Sequence, residues 1–287
     1  MKPAPFEYHA PTSIEEAIGL LQRYGTDARL LAGGQSLVPM MNFRVAAPAT
    51  IIDVGRIPGL ARIVEDGGAI RIGAMVRQRA VEFSPLIAEK LPLLRDAVQL
   101  VGHLPTRSRG TIGGSVAHAD PSAEIPMVLR ALDGEVVARG SAGERRIPAA
   151  DFFCDALTTA LAPDEILLEV RLPVMPAGAG WAVEEFSRRH GDFAIAAVAA
   201  TVLRNGGGSV EAQIACAGVA SRPLRLGAAE EIVRARGLDL DAVKEAAAQA
   251  VTGIEPLSDQ AASGEFRLHL LQVLTRRALL RAAERAS

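Results

Sequence analysis

The chain has 287 residues, which is enough for about two domains that bury a substantial core. Hydrophobic residues make up 49% of the chain but aromatic residues only 4%, so aliphatic side chains must fill the interior. Their abundance fits either an alanine-rich core or a surface that a permanent partner covers, while the formal net charge of −2, without a stripe of Lys and Arg, excludes nucleic acid as an expected partner.

The first part of the sequence predicts a helix. A capping box formed by Ser13 and Glu16, or by Thr12 and Glu15 one register earlier, predicts where this helix begins. Gly25 is a suitable residue to end it. With the short strands that follow, this helix indicates a small α/β unit.

The first double-glycine segment, AGGQSL at residues 32–37, lies between predicted strands at residues 29–31 and 50–54. Glycine lacks a Cβ, so it can adopt positive φ and leave backbone N–H groups facing outward as an anion-binding nest. A Gly-Gly pair is also typical of an ordinary turn. Gln35 and Ser36 add polar side chains before an apolar run, which favours a phosphate-binding loop over a turn.

The middle of the sequence predicts two hairpins, two helices and a strand. The predicted elements are a hairpin with an Asp-Gly-Gly turn at residues 61–76, helices at 80–83 and 90–101, a hairpin at 134–153, and an amphipathic strand at 164–173.

The second double-glycine segment, TIGGS at residues 111–115, repeats the pattern of the first. Two nests in one chain predict a single ligand with two linked phosphates, held from both sides. Downstream, Asp120 is expected to cap a helix with Pro121 at its first position. Glu124 then lies in the first turn, where it either interacts with the helix dipole or accepts a hydrogen bond from a ligand hydroxyl.

The last part of the chain follows a predicted linker at residues 174–180. Two long strands are predicted next, joined at residues 205–209, where Gly206-Gly207-Gly208 is expected to form a hairpin turn. Helices are predicted at residues 240–252 and 265–286.

The stretch RRHGDFAIAAV at residues 188–198 has two interpretations. It is either a charged turn leading into a buried strand, or a loop whose Phe193 covers a planar ring. The residues alone leave both open.

Metal and nucleotide motifs of the common kinds are not found in the sequence. Cys154 and Cys216 are far apart and form no iron–sulfur ligand set, and the five histidines lack zinc-site spacing. There is no GxGxxG after a strand and no GxxxxGK[ST]. Because the sequence has neither an apolar signal segment nor a run of ~20 apolar residues, we expect a cytoplasmic protein without a membrane span.

Four segments together resemble the FAD-binding medium subunit of the molybdenum hydroxylases, a family that includes bacterial carbon monoxide dehydrogenase and xanthine dehydrogenase. They are AGGQSL at 32–37, TIGGS at 111–115, HADP at 118–121 and RRHGDFAIA at 188–196. The resemblance covers essentially the whole chain. It implies an α+β fold, with a two-part α/β FAD-binding unit of the vanillyl-alcohol-oxidase/PCMH type followed by a small α+β C-terminal domain of a three-stranded sheet with helices.

The resemblance also implies domain boundaries and a cofactor site. The FAD-binding subdomains would be residues 1–55 and 56–176, and the C-terminal domain of the CO-dehydrogenase flavoprotein type would be residues 177–287. The FAD pyrophosphate would lie between the two glycine-rich segments. The implied cofactor-binding residues are Ala32, Gly33, Gly34, Gln35, Ser36, Leu37, Thr111, Ile112, Gly113, Gly114, Ser115, Glu124, Leu167 and Phe193.

This sequence departs from the family pattern at several positions. Gln35 stands where the carbon monoxide enzyme has His, and Ser115 replaces a frequent Asn. Phe193 replaces a Tyr, and Ser187 occupies a position where some relatives have Lys. Backbone N–H donors do not depend on these side chains, so the departures leave the expected diphosphate site intact.

The function that the resemblance implies is electron transfer without substrate hydroxylation by this chain, so no catalytic residue and no metal ligand is expected in it. FAD would link the [2Fe–2S] clusters of a small partner subunit to an external acceptor, and a large partner subunit would hold molybdopterin, in a dimer of heterotrimers. Two alternatives remain. A free-standing flavin-dependent oxidase would oxidise a substrate alone, and a non-catalytic nucleotide-binding or assembly protein would bind no FAD.

Overall fold

The computed structural model describes residues 1–205 and 209–287, and its first part is a parallel three-stranded sheet. The elements are β1 (Glu7–His9), α1 (Ile14–Tyr24), β2 (Ala28–Leu31), α2 (Leu37–Asn42) and β3 (Thr50–Asp53). Strand β3 lies between β1 and β2. The predicted strands at 29–31 and 50–54 are confirmed, and the first double-glycine segment lies between β2 and α2.

Helix α1 begins at the first of the two predicted caps. The hydroxyl of Ser13 accepts a hydrogen bond from the N–H of Glu16 at 3.1 Å. The Glu16 carboxylate reaches back one residue further than in a standard capping box and accepts from the N–H of Thr12 at 2.8 Å. Gly25, at φ +53°, ends the helix as predicted, because glycine adopts positive φ without steric cost.

The second part of the chain forms an antiparallel five-stranded sheet covered by short helices. Its strands are β4 (Ile63–Asp66), β5 (Ala69–Gly73), β6 (Glu135–Gly140), β7 (Gly143–Pro148) and β10 (Ile166–Pro173), with the separate pair β8 (Phe153–Asp155) and β9 (Thr158–Thr159). Its helices are α3 (Gln78–Phe83), α4 (Pro85–Lys90), α5 (Pro92–Leu100), α6 (Leu104–Arg109), α7 (Ile112–His118), α8 (Glu124–Ala131) and α9 (Ala149–Phe152).

Strand β10 lies at the centre of this sheet and joins both predicted hairpins, which are confirmed. Where two helices were predicted, at residues 80–83 and 90–101, the structure has three short ones, α3, α4 and α5. Proline begins both α4 and α5, and the residue before each proline, Ser84 or Leu91, leaves the helical region of φ and ψ.

The third part of the chain is a sheet of three long strands and one two-residue edge strand, in the order β11–β12–β13–β14. Its elements are β11 (Gly180–Phe186), β12 (Ala196–Arg204), β13 (Val210–Ala217), β14 (Leu224–Arg225), α10 (Gly227–Arg236), α11 (Leu240–Gln249) and α12 (Gly264–Arg285). The predicted pairing of β12 with β13 is confirmed. The expected glycine turn at 206–208 lies outside the described residues.

The third sheet is buried on both faces. Along β12, Val198 and Ala200 belong to the core shared with α10, α11 and α12, whereas Ala197 and Ala199 join the core of the five-stranded sheet. The Nε1–H of Trp181 in β11 donates to the Asp96 carboxylate in α5 at 2.9 Å. The third sheet is therefore held firmly on the middle part of the chain, and this fixes where the loop between β11 and β12 lies.

Candidate functional site

The two double-glycine segments lie against each other. A Cβ added to Gly33 would stand 2.5 Å from the carbonyl oxygen of Arg109 and 2.8 Å from the Cα of Gly110. A Cβ on Gly114 would stand 3.7 Å from the Cβ of Ala32, which is ordinary contact. The first sheet and the five-stranded sheet therefore meet at the glycines that the sequence singled out.

The first segment has the geometry expected of an amide-lined bend. Gly34 has φ +72°, and its carbonyl oxygen accepts from the N–H of Val38 at 3.1 Å at the start of α2. Within residues 1–205 and 209–287, no protein acceptor is found for the backbone N–H groups of Gly34, Gln35 and Ser36. These three donors remain available to an anionic ligand in the adjoining cavity.

The second segment differs from the expectation of another nest, and that expectation is wrong. The N–H of Ile112 donates to Val76 O at 3.0 Å and the N–H of Gly113 to Ala74 O at 2.9 Å. The hydroxyl of Thr111 caps α7 by accepting from the N–H of Gly114 at 3.0 Å. The backbone donors of this segment are used inside the protein because they tie α7 to the end of β5.

The glycines of the second segment serve close approach instead of positive φ. A Cβ on Gly113 would stand 2.5 Å from the Cβ of Ala74. A Cβ on Gly114 would stand 2.8 Å from the Thr111 hydroxyl oxygen. Any side chain at Gly113 or Gly114 would push α7 away from Ala74 or from its own N-cap residue, Thr111.

A cavity of about 730 Å³ opens between the two segments, a volume in the range of cofactor-binding sites. The sequence-predicted residues that line it are Ala32, Gly33, Gly34, Gln35, Ser36, Leu37, Thr111, Gly113, Gly114, Ser115, Glu124, Leu167 and Phe193. Ile112 does not line it, because its side chain is fully buried in the core of the five-stranded sheet. Ser187 is not among the lining residues either.

The lining of the cavity combines polar and apolar residues. Gln35, Ser36, Thr111 and Ser115 are polar, whereas Met75, Leu161, Ile166 and Leu167 are apolar. Such a combination suits an elongated ligand with a charged linkage and a flat ring. The exposed Phe193 lies at this cavity, on the loop between β11 and β12.

The loop that carries Phe193 is held in place at two points. A Cβ on Gly191, which has φ +87°, would stand 2.5 Å from Cε1 of His103 in the segment before α6. The Arg188 guanidinium donates to the carbonyl oxygen of Gln260 at 2.8 Å. The stretch is thus a turn packed on neighbouring elements, and it presents Phe193 to the cavity.

A second cavity of about 530 Å³ adjoins the first double-glycine segment and has a cationic wall. It is lined by Arg56, Arg77 and Arg109, and Arg77 donates to the carbonyl oxygen of Arg109. The lining carboxylate of Asp53 is occupied by the Tyr8 hydroxyl and the Gly55 N–H. The arginines add positive potential beside the amide-lined bend, which favours an anionic ligand there.

Glu124 is the first residue of α8, whose N-cap is Ala123. Asp120 is not that cap, contrary to expectation, because its carboxylate accepts from the N–H of Ser122 at 2.9 Å in a separate turn. The Glu124 side chain is buried against the cavity, and burial raises its pKa to about 8, with the negative charge of Glu185 adding to the shift. Glu124 is therefore protonated at neutral pH.

Glu185 is a residue that sequence reasoning missed. It lies in β11, a strand that was not predicted, and its Oε2 atom is buried without a hydrogen-bond partner among the described residues. Burial raises its pKa to about 7. The signal was present, because the alternation of Trp181, Val183 and Glu185 in a strand puts the three side chains on one face.

The part of the chain that the structure describes contains no group of three or more His, Cys, Asp or Glu side chains that could hold a metal ion. None of its helices combines the length and apolarity needed to cross a bilayer. Cys154 is exposed, whereas burial raises the pKa of the Cys216 thiol to about 12.

Comparison with known proteins covers nearly the whole chain. Residues 4–175 match the family described as "FAD binding domain in molybdopterin dehydrogenase", and residues 181–282 match the "CO dehydrogenase flavoprotein C-terminal domain". The chain is 40% identical to the 6-hydroxypseudooxynicotine dehydrogenase complex subunit alpha of Paenarthrobacter nicotinovorans, over 100% of this chain and 97% of that relative. It is 39% identical to the carbon monoxide dehydrogenase medium chain of Afipia carboxidovorans, over 100% of this chain and 99% of the relative.

A solved structure has the same fold. The carbon monoxide dehydrogenase structure from Hydrogenophaga pseudoflava, which lacks the Mo-pyranopterin moiety of the molybdenum cofactor, superposes with a TM-score of 0.97 at 40% identity and covers 100% of both chains. At this similarity, the order of elements and the relative placement of the three sheets are shared.

Proposed function

Because the chain belongs to the FAD-binding medium subunits of the molybdenum hydroxylases, we propose that it binds one FAD without a covalent bond in the cavity of about 730 Å³ and acts as an electron-transfer subunit. The observation that carries the proposal is the contact between the two double-glycine segments beside a cavity that both line, where the N–H groups of Gly34, Gln35 and Ser36 have no acceptor among the described residues.

In this proposal the first segment holds the diphosphate. The free N–H groups of Gly34, Gln35 and Ser36 supply donors that need no side-chain rearrangement, and Arg77 and Arg109 strengthen the positive potential nearby. The second segment forms the opposing wall at Thr111, Gly113, Gly114 and Ser115, where the lack of side chains on the glycines permits close approach.

The remaining cofactor-binding residues are proposed for the ring and its surroundings. Leu167 contributes to the apolar wall, and Phe193 covers the ring from the loop between β11 and β12. Glu124 offers a buried carboxyl group to the flavin. Bound FAD supplies two-electron chemistry that can proceed in single-electron steps, so it can connect one-electron centres to a two-electron acceptor.

Partners and compartment are part of the same proposal. The relatives are named as medium or alpha subunits of larger enzymes, which supports a heteromeric assembly. We assign [2Fe–2S] clusters to a small partner subunit and molybdopterin to a large one, in a cytoplasmic dimer of heterotrimers. The break between the two family matches, at residues 175 and 181, supports a boundary near 176 between the FAD-binding unit and the C-terminal domain.

The test is reconstitution of the full chain with FAD. The purified chain should retain flavin after gel filtration, with protein-bound flavin fluorescence quenched, and the lone chain should not oxidise a substrate. The double variant Gly34→Val, Gly114→Val should lose FAD while keeping its helix content by circular dichroism. A double variant that stays fully loaded with FAD would contradict the proposed site, and oxidation of a substrate by the lone chain would favour a free-standing oxidase.

A further inference from the structure

The interface between the third sheet and α8 holds the buried side chain of Glu124 and the partly buried side chain of Glu185, whose Oε2 atom is enclosed. Glu185 lies near the end of β11 and pairs in register with Ala197 of β12. The turn before α8 docks at the same end of this sheet, since the N–H of Gly218 donates to the carbonyl oxygen of Pro121 at 2.8 Å. Glu124 follows that turn directly, as the first residue of α8.

The direction in which Glu185 points follows from the pleat of β11. Trp181 and Val183, on the same face of the strand, pack against the core of the five-stranded sheet. Glu184, on the opposite face, forms an ion pair with Arg281 of α12. Glu185 therefore faces the middle part of the chain, where its Oε2 atom is buried without a partner.

Glu124 reaches the same interface from the cavity side. Its side chain is only 5% exposed, lines the cavity and, apart from its own backbone N–H, has no hydrogen-bond partner among the described residues. A buried carboxyl without a partner is costly when it is charged and far less costly when it is neutral. The free side of this carboxyl group faces the space that a ligand would fill.

The charged groups around the pair do not neutralise it. The charged groups that act on Glu124 are Glu185 and Asp120, and both are negative. The other titratable groups that line the cavity or lie on the neighbouring helices are Arg29, His118, Glu165, Asp192, Arg95 and Asp96 of α5, and Arg130 at the far end of α8. Asp96 is occupied by Trp181 and Arg285. Arg130 lies among Arg222, Arg225, Asp133 and Glu230, away from the first turn of α8.

We propose that Glu185 is a positioning residue that acts through Glu124. Its carboxylate adds to the effect of burial in favouring the protonated form of Glu124, so that Glu124 meets the bound cofactor as a neutral carboxylic acid and donates a hydrogen bond to an acceptor atom of the flavin. This inference rests on the proposed FAD site. It assigns to Glu124 the opposite role from the acceptor expected of an ordinary ionised glutamate.

Both protonation states have consequences that can be measured. Burial and the charge of Glu185 raise the pKa of Glu124, so it loses its proton only above neutral pH. If only the protonated form donates to the cofactor, the Kd for FAD rises about tenfold for each pH unit above that pKa. If Glu124 instead accepts a hydrogen bond as a carboxylate, binding tightens as the pH rises through the same range.

The experiment measures the Kd of the apo full chain for FAD by fluorescence quenching from about pH 6 to about pH 9.5, the range around the pKa of Glu124. The wild-type Kd should not change with pH below the pKa of Glu124 and should rise with pH above it. Glu124→Gln, whose amide donates at every pH, should remove the alkaline rise and bind FAD about tenfold more tightly than wild type one pH unit above the transition.

The Glu185→Gln variant tests the role of Glu185 itself. Without the neighbouring negative charge, Glu124 should lose its proton more readily, so the rise in Kd should begin at a lower pH than in wild type, while the burial of Glu124 keeps the onset above that of an ordinary glutamate. Glu184→Gln, at the adjacent position on the opposite face of β11, is the matched control and should leave the profile where it is. An unchanged profile in Glu185→Gln, or a wild-type Kd that falls with rising pH, would overturn the inference.

Failure of the inference can be told apart from failure of the proposed function. The carboxyl ¹³C resonances of the apo chain, labelled at glutamate, report the titration of Glu124 without any cofactor. A late titration of Glu124 that moves to lower pH in Glu185→Gln supports the coupling even if no FAD is bound. A wild-type chain that binds no FAD at any pH refutes the proposed function, whereas FAD binding with an early-titrating Glu124 refutes only the inference.

Discussion

Gly33 packs on the backbone of Arg109 so closely that a Cβ on Gly33 would stand 2.5 Å from the Arg109 carbonyl oxygen. The backbone after Arg109 is held on both sides, because the N–H of Gly110 donates to Thr106 O at 2.7 Å and the carbonyl oxygen of Gly110 accepts from the N–H of Gln78 at 3.0 Å. The two segments can therefore pack this closely only because residue 33 is a glycine.

Replacing Gly33 should open the junction and weaken FAD binding. Gly33→Ala forces the segments apart, so we expect the Kd for FAD to rise at least about tenfold, a loss of about 1.4 kcal/mol or more in binding. The measurement is a fluorescence titration of the apo chain with FAD. Gly19→Ala in α1, where an added Cβ meets nothing within 4 Å, is the control and should keep its flavin.

Removing the Phe193 ring should expose the bound flavin. Phe193→Ala is expected to weaken FAD binding by about 1 kcal/mol and to increase the accessibility of the flavin to an external fluorescence quencher. Phe83→Ala makes a matched control, because Phe83 and Phe193 are each 64% exposed but Phe83 does not line the cavity. Equal quenching in both variants would show that Phe193 does not cover the ring.

The stability of the apo chain should decrease as the pH rises through neutrality. The folded-state pKa of Glu124 is about 8, above its ordinary value of 4.5, so between these values the folded chain holds a proton that the unfolded chain has lost. The free energy of unfolding should therefore fall from about pH 4.5 to about pH 8 and level off above that.

Glu124→Gln should reduce this slope and leave the part that Glu185, with its pKa of about 7, contributes below neutrality, and the variant should be more stable than wild type at pH 8 by up to about 4 kcal/mol. Urea unfolding of both chains at a series of pH values measures the difference. Glu144→Gln changes an exposed glutamate of β7 and serves as the control. Parallel slopes for wild type and Glu124→Gln would contradict the assigned pKa.

The hydrogen bond between Trp181 and Asp96 should contribute to holding the third sheet. Asp96→Ala removes the acceptor of the indole N–H and the partner of Arg285, so we expect a loss of about 1–2 kcal/mol in the free energy of unfolding. The chain has one tryptophan, so its emission spectrum reports directly on this contact. Unchanged emission and stability would show that the apolar packing of Trp181 suffices.

Much of the fold could be predicted because its signals are local. Ser13 and Gly25 delimit α1 through their own backbone geometry, and the two hairpins of the middle part follow from turn residues between apolar runs. The strand β11 was missed because its residues Glu184 and Glu185 look like a solvent-exposed pair in sequence. In the structure they face two different cores, and only tertiary packing reveals that.

Most of the residues singled out in the sequence line one cavity, whereas the free backbone donors expected of the second segment are not there. The second double-glycine segment was expected to present free N–H groups, yet two of them donate to the carbonyl oxygens of Ala74 and Val76. Those acceptors lie more than 30 residues earlier in the chain, so no local pattern announces them. Likewise, the effect of Glu185 on Glu124 arises between a strand and a helix that are distant in sequence.

The alanines of β12 have a consequence for how this chain tolerates change. Because each side of that strand belongs to a different interior, a larger residue at Ala197 or Ala199 presses on the layer that carries the cleft, and one at Ala200 presses on the C-terminal helices. Sequence divergence should therefore be slow along β12 and concentrate at its two ends. Deleting the helices α10 to α12 would expose the face of β12 that carries Val198 and Ala200 and leave the opposite face packed.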